Sequence, residues 1–425
     1  MILVLIAFLL LPGVSFAQSV DIGILEDVNR AYITANREFE VIEDRSTEQG
    51  SFVDSIVLLE RKAGQEVLLR SAPATDNDLV VASAPDLNST NSNLLFKCKG
   101  YKRKNPSRKS HMQGLRSDEE RSLLSVNERS RNKRNAVDGI SRTGSKPCIF
   151  TVKQYKGDKN RYVKFKGEIL IKPSEKTFTV INRLELEEYL RGVVPGEMPV
   201  SWPLEALKAQ AVAARTYTLK NLERRKVLGY DLKASVEDQM YKGLKAEDSR
   251  TNKAIKLTEG EYLKDKQGLV VNAYYSSHAG KFTASPEDGW GLSPKHYLIP
   301  VKEAGSQYPW QKVFSTYSLS QKLKDLGIGN IKAVTVVEYS PEGRARRVLV
   351  SASVSHRLLT GEEFRHQLGL KSTMFSLALS PSRLVVNGYG FGHGIGMSQH
   401  GAKHLAQQGK TYKEILARYY SEASL

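Results

Sequence analysis

Glu197 stands in a stretch rich in turn-forming residues, Pro195-Gly196-Glu197-Met198-Pro199, with Val193, Val194 and Trp202 close by. A carboxylate beside apolar and aromatic side chains loses hydration, which favours its neutral acid form. Cleavage of a glycosidic bond uses such a group, a carboxylic acid still protonated near neutral pH and placed to protonate the leaving oxygen. The N-terminus of a following helix would favour the anion instead. From spacing alone, a capping or salt-bridged glutamate is the better account of the residue.

His393 lies in Gly390-Phe391-Gly392-His393-Gly394-Ile395-Gly396. Glycines this dense let backbone approach a ligand or another strand closely. No Lys-Ser/Thr pair follows, so the loop is not a phosphate-binding P-loop. His400 and His404 are spaced to share one helix face and, with His393, could form a metal site. Two helix-surface histidines and a loop histidine fit the pattern better, and no glutamate follows His400 as a zinc protease requires. Ser276-Ser277-His278 invites a hydrolase reading. A serine next to its own histidine in sequence rarely has triad geometry, and no G-x-S-x-G elbow surrounds it.

Local patterns predict the elements that carry these residues. Apolar and polar residues alternate in short runs over residues 20–97, as in Val20-Asp21-Ile22-Gly23-Ile24-Leu25, Phe39-Glu40-Val41-Ile42 and Glu66-Val67-Leu68-Leu69. These read as strands, and strand patterns resume at 161–165 and 178–181. Leu186, Tyr189, Leu190 and Val193 share one face of a short helix over 186–193, which the Pro195-Gly196 turn should end. Ser201 is expected to cap the next helix, with Pro203 in its first turn. Leu204, Leu207, Ala211, Ala214 and Thr218 recur along it, and its alanines allow close neighbours. Mixed short elements follow to about residue 380, then the glycine loop 388–396. A helix is expected from Met397 to Gln407, stopped by Gly409, and another over 412–420.

Length and charge frame these pieces. The chain has 425 residues, 40% hydrophobic, with a net charge of +17. Such a charge favours polyanions: nucleic acid, anionic lipid or an acidic wall polymer. Residues 2–12 form an apolar run of signal-peptide length, with Ser15 and Ala17 as small residues before a cleavage point, although no Lys or Arg precedes the run. A buried N-terminal element is the alternative. Residues 99–147 hold 14 Lys/Arg against 5 Asp/Glu, with many Ser and Asn. Such a segment buries too little apolar surface to order itself and reads as a basic disordered insertion. An export signal argues against a nucleic-acid arm. Cys98 and Cys148, at the two edges of this insertion, could form one disulfide in an oxidising compartment or remain free thiols, and their spacing matches no zinc motif.

The stretch from Leu184 to Pro199, with Val193-Val194-Pro195-Gly196-Glu197-Met198-Pro199 at its end, running on through Trp202 and 206–217, resembles the core signature of the stage II sporulation protein D and amidase-enhancer family. Gly392-His393-Gly394-Ile395-Gly396-Met397-Ser398-Gln399-His400-Gly401-Ala402, then Gly409 and 412–420, resembles its second signature. Asp238-Gln239-Met240-Tyr241-Lys242-Gly243 resembles a third, weaker one. The resemblance covers roughly residues 160–420.

Characterised members of that family are lytic transglycosylases of peptidoglycan or activators of cell-wall amidases. The resemblance therefore implies Glu197 as a single catalytic acid and base, acting on glycan stripped of stem peptides and leaving a 1,6-anhydro end. It implies substrate-binding roles for Arg215, Gln239, Tyr241, Ser277, His393, Ser398 and Gln399, with His393 lining a cleft opposite Glu197. Some members hold zinc in the segment matching 275–283. Here Ser276 stands where they have His and Ala279 where they have Cys, so neither metal nor other cofactor is expected. The expected whole is an α+β protein: a signal peptide over 1–17, a β-rich region over 18–98, the insertion over 99–147, and a mixed core over 148–425 carrying a glycan cleft. It is expected to be exported to the periplasm or cell wall without spanning the membrane. Its expected partners are peptidoglycan strands and, in the alternative reading, a cell-wall amidase, but not nucleic acid.

Overall fold

The computed structural model describes residues 18–28, 30–35, 39–43, 48–52, 55–60, 67–73, 86–90, 94–98, 148–156, 159–174 and 177–425 except 329 and 354. The apolar run 1–17 and the basic segment 99–147 lie outside the described residues. The fold is α+β, and the chain divides into two compact units.

The first unit comprises the described residues of Met1–Gly192 together with Leu222–Ala246. Its strands are β1 (Ser19–Val28), β2 (Arg30–Ala35), β3 (Phe39–Glu43), β4 (Glu48–Phe52), β5 (Ser55–Glu60), β6 (Val67–Pro73), β7 (Asp86–Thr90), β8 (Leu94–Cys98), β9 (Ile149–Lys156), β10 (Lys159–Lys166), β11 (Glu168–Pro173), β12 (Phe178–Glu185) and the short β13 (Leu232–Lys233). They form two sheets, ordered β13-β1-β12-β11-β8-β3-β4 and β10-β9-β2-β5-β6-β7. Strands from either side of residues 99–147 interleave in both: β8 pairs with β11, and β2 with β9, all antiparallel. Alternation places Val20 and Ile22 of β1, Ile169 and Ile171 of β11, and Phe178 and Val180 of β12 in the core. Asp21, buried in β1, is held by Arg183 Nε at 2.6 Å. Cys148, just before β9, is disulfide-bonded.

Helix α1 (Leu186–Glu197) carries the chain out of this unit. Leu186, Tyr189, Leu190 and Val193 are all buried, as their spacing predicts. The second unit comprises Val193–Asn221 and Glu247–Leu425. Its elements are α2 (Leu204–Lys220), α3 (Ser249–Leu257), β14 (Tyr275–Ser276), α4 (Pro286–Trp290), β15 (Pro309–Ser315), α5 (Thr316–Lys322), β16 (Ile331–Tyr339), β17 (Ala345–Ala352), β18 (His356–Thr360), α6 (Gly361–Leu368), β19 (Phe375–Leu379), β20 (Arg383–Tyr389), β21 (Met397–Ser398), α7 (Gln399–Gln407) and α8 (Tyr412–Tyr419).

This unit has two apolar cores. The first is helical. It joins Met198, Trp202 and the α2 residues Ala206, Leu207, Ala209, Val212 and Ala213 to Ile395, Met397, Ala402 and the α8 residues Ile415, Leu416 and Tyr419. From Ala206 to Leu219 every residue of α2 except Lys208 is buried, so its alanines admit neighbours on nearly all sides rather than along one face. The second core lies wholly within residues 309–389, where β15-β20-β19 and β16-β17-β18 pack with α5 and α6 around Val348, Val350, Phe364 and Val386. Tyr308 and Gly390, at the two ends of this inserted lobe, are joined by a hydrogen bond of 3.0 Å. Among the described residues no helix is long and apolar enough to cross a membrane.

Candidate functional site

Glu197 is the last residue of α1 and not part of a turn, which corrects the expectation from Pro195-Gly196. Proline lacks an N–H to donate into the helix, but the last turn still closes because the Met198 N–H donates to the Val194 carbonyl at 2.9 Å. The half-buried carboxylate therefore sits at the carbonyl end of a helix, where the dipole disfavours negative charge. Ser201 does not cap α2. The cap position belongs to Pro203, whose carbonyl accepts from the Ala206 and Leu207 N–H groups at 3.0 and 3.2 Å.

One partner of Glu197 comes from the far end of the sequence. The Gln399 side-chain amide donates to Glu197 Oε2 at 3.2 Å and to Gln210 Oε1 at 3.3 Å. Gln210 is fully buried in α2, so a line of three polar side chains ties α1, α2 and α7 together. Gln399 opens α7, and Ser398 just before it is the cap, its hydroxyl accepting from the Gly401 N–H at 3.1 Å. Met397 and Ser398 do not belong to the helix, contrary to the expectation of a helix starting at Met397. They form β21, paired in parallel with Tyr275 and Ser276 of β14. That two-residue ladder docks the glycine loop beside the segment 275–283.

The loop is built from backbone closeness. Gly394 and Gly396 have φ of +79° and +70°, and a Cβ on Gly396 would overlap the Tyr274 carbonyl oxygen. Ser276 Oγ accepts from the Gly394 N–H at 3.2 Å. His393 locks the arrangement. Its Nδ1 accepts from the Ile395 N–H at 3.0 Å, so its Nε2 carries the proton and donates to the Tyr275 carbonyl at 2.9 Å. The ring packs on Trp290 with centroids 4.6 Å apart. Lost hydration holds its pKa down to about 3. With both nitrogens spent on backbone, the imidazole has no free nitrogen for a sugar hydroxyl or a metal, contrary to the role expected of it. It sets the loop.

Behind the loop is a second polar cluster. Glu303 is buried and accepts from the Ala279 and Ala304 N–H groups at 3.0 and 2.8 Å, with Ser398 also bonded to it. Loss of hydration raises its pKa despite those bonds. His278 lies 3.6 Å from Glu303, and its Nδ1 accepts from the Gly280 N–H at 3.0 Å. Burial lowers the His278 pKa. Arg344, fully buried, reaches from the inserted lobe to donate to the Ala279 and Phe282 carbonyls at 2.6 and 3.2 Å.

The other expected substrate-binding residues divide clearly. Ser398 and Gln399 stand at the Glu197 end of α7, and the Ser277 carbonyl accepts from the His400 backbone N–H at 3.1 Å. Arg215 is buried in α2, and its guanidinium donates to the Glu261 and Ile255 carbonyls at 3.0 and 3.5 Å, a structural placement. Gln239 and Tyr241 lie in the first unit. The Tyr241 hydroxyl donates to Asn182 Oδ1 at 2.8 Å, its ring packs on Tyr189, and Gln239 Nε2 lies 3.5 Å from the Tyr189 hydroxyl. Both are interior residues there. Sequence reasoning missed Gln210, Glu303, Tyr308 and Arg344. The one usable signal was Gln210, a polar residue among the alanines of a helix.

Comparison with known proteins adds two matches to family models and three to individual relatives. A family model described as stage II sporulation protein matches residues 174–264, and a domain of unknown function, DUF8618, matches 293–396. A stage II sporulation protein D of Bacillus amyloliquefaciens is 30% identical over 261 residues, covering 56% of this chain and 74% of that protein. The amidase enhancer of Bacillus subtilis is 31% identical over 56% of this chain and 40% of its own length, and an uncharacterised protein of Brachyspira hyodysenteriae is 31% identical over 61% and 71% respectively.

Proposed function

The chain belongs to the stage II sporulation protein D family, and from that premise we propose that it is an exported lytic transglycosylase cleaving the glycan strands of peptidoglycan. The observation that carries this reading is the contact of Gln399 with Glu197, which joins the two signature segments at one carboxylate. In the proposed reaction Glu197 protonates the oxygen linking N-acetylmuramic acid to N-acetylglucosamine, and that bond breaks. The resulting carboxylate takes the proton of the muramic 6-hydroxyl as its oxygen closes onto the anomeric carbon. The product carries a 1,6-anhydro end, and the acid is regenerated without water or a second carboxylate. Gln399 orients one carboxylate oxygen throughout, and the loop fixed by His393 supplies a rigid wall.

The test is mass spectrometry of purified, peptide-stripped glycan after incubation with the protein. Anhydro ends should form with the wild type. Glu197→Gln should lower the rate by about 10²–10⁴-fold, because the amide keeps the shape but delivers no proton. Undiminished anhydro product from this variant would remove Glu197 from the role of acid. No product from either protein, together with stimulation of a cell-wall amidase, would replace the reading with that of an amidase activator, the role that gives the Bacillus subtilis relative its name.

A further inference from the structure

Gln210 lies in the middle of α2 between Ala209 and Ala211, and it is 0% exposed. Its Oε1 accepts from Gln399 Nε2 at 3.3 Å, while its own Nε2 has no hydrogen-bond partner among the described residues. A buried donor left unpaired costs about 1–3 kcal/mol. An alanine, like the residues on either side, would avoid that cost and suit the helix better. Packing therefore does not account for a glutamine here. What the residue supplies to this core is an acceptor oxygen turned toward Gln399.

A primary amide carries two N–H donors on one side and a carbonyl on the other, so half a turn about its last bond reverses its polarity. Gln399 commits a single nitrogen to both neighbours: one N–H reaches Glu197 Oε2 at 3.2 Å and the other reaches Gln210 Oε1. Turned over alone, Gln399 would set its oxygen against the Gln210 oxygen. Turning both amides together requires rotation of a fully buried side chain within the close-packed core to which Ala206, Ala209 and Ala213 of α2 belong. The sense of the Gln399 amide matters to a carboxyl group that must give up a proton and take one back. As a donor, Gln399 occupies Oε2 in both charge states and steadies the anion. As an acceptor, it would draw the O–H of the neutral acid toward itself and away from a substrate oxygen.

We propose that Gln210 is a positioning residue for the cleavage reaction: its oxygen holds Gln399 in the donating sense, so that the acidic proton rides on Glu197 Oε1. The proposal rests on the glycan reading of the Glu197 site and deepens it. Oε1 gives its proton to the linking oxygen as the glycosidic bond breaks, and recovers one from the 6-hydroxyl as the anhydro ring closes. Neither amide gains or loses a proton. Gln210, enclosed in the core, touches no substrate and acts through Gln399.

The test measures kcat and KM for release of anhydro ends from peptide-stripped glycan by the full chain. Gln210→Met keeps the length of the side chain and removes the acceptor. We expect kcat to fall by about tenfold or more, with KM unchanged. The unfolding temperature should be no lower than that of the wild type, because the orphaned donor goes with the acceptor. Gln210→Glu has the same shape and presents an acceptor oxygen in either protonation state, so it should recover most of the lost kcat. With Gln399→Leu already in place, Gln210→Met should slow the reaction no further, since the two side chains act as one unit. Should the methionine variant fail to fold, Gln210→Ala, which matches its neighbours along α2, is measured in its place. An unaltered kcat, losses that multiply in the double variant, or an equal loss in the glutamate variant overturns the role of Gln210 and leaves the glycan reading standing. Absence of anhydro ends from the wild type overturns the glycan reading and, with it, this role.

Discussion

The Gln399 amide touches both Glu197 and the buried Gln210, so one side chain orients the carboxylate and anchors itself in the helical core. Gln399→Leu removes that donor at nearly constant volume. We expect the cleavage rate to fall by about 10–100-fold through misplacement of the acid, with substrate affinity little changed. Stability should drop by about 1–2 kcal/mol, because the Gln210 oxygen is left unpaired. A variant with an unaltered rate constant would show that Glu197 is held by other groups. His393 offers a different test. Its pKa in the fold is about 3, against an ordinary value of 6.5. Above pH 6.5 both folded and unfolded states hold it neutral. As pH falls from there toward 3, only the unfolded chain takes up the proton, so stability is lost across that window, by at most about 1.4 kcal/mol per pH unit. His278 and His400 are shifted in the same direction. His393→Gln should flatten the decline in denaturant midpoint below neutral pH. Parallel curves for the two proteins would mean that the ring protonates freely in the fold. From sequence, the two signatures marked Glu197 and His393 as worth attention, but the role of His393 was not legible. Which nitrogen an imidazole spends on backbone depends on a loop folding against Tyr275, far away along the chain.

At the scale of elements, the glycines of the second signature divide by what a Cβ would meet. Gly396, with φ of +70°, lies against the Tyr274 backbone, whereas Gly409, with φ of +85°, has open space around it. Gly409→Ala should cost only the left-handed backbone, about 1–2 kcal/mol. Gly396→Ala adds a backbone collision that cannot relax without opening the pairing of β14 and β21, and should cost more than twice as much. Thermal unfolding of the two variants compares them directly, and equal losses would show that the ladder yields easily. The strands were legible because their alternation of apolar and polar residues is itself the physics of a half-buried sheet, as in β1, β3 and β12. The ends of helices were less so. Pro195-Gly196 reads as a turn, yet the flanking Val193, Val194 and Met198 are all buried, and their burial carries α1 through to Glu197. Arg215 shows the same limit: only the fold reveals that its guanidinium is committed to carbonyls near the end of α3.

For the whole molecule, the charge is unevenly spread. The segment 99–147 holds 14 Lys/Arg and 5 Asp/Glu of a chain whose net charge is +17. Deleting it should leave cleavage of soluble glycan largely unchanged and weaken retention on intact, anionic walls, an effect that co-sedimentation across a salt series would measure. Lost solubility or a broadened unfolding transition after deletion would instead make the segment part of the folded structure. Sequence patterns placed strands on both sides of this segment but not their mingling within two sheets, because pairing partners are chosen by packing rather than by order along the chain.

The inserted lobe enters at Tyr308 and leaves at Gly390, a hydrogen bond apart, and keeps its own apolar core. That arrangement bears on how the chain finds its fold. During synthesis α2 emerges long before β21, α7 and α8, the pieces that cover it, so its apolar surface must wait. Joining β14 to β21 across an unfolded stretch of such length would carry a large entropy of closure, which grows with the number of free residues between the ends. A lobe able to condense on its own local contacts, holding its two ends together as it does so, shortens that gap to the segment between β14 and Tyr308 and the few residues between Gly390 and β21. The late-arriving signature is then delivered to its partner already tethered. The lobe then serves assembly: it measures out the distance over which the two parts of the helical core must find each other.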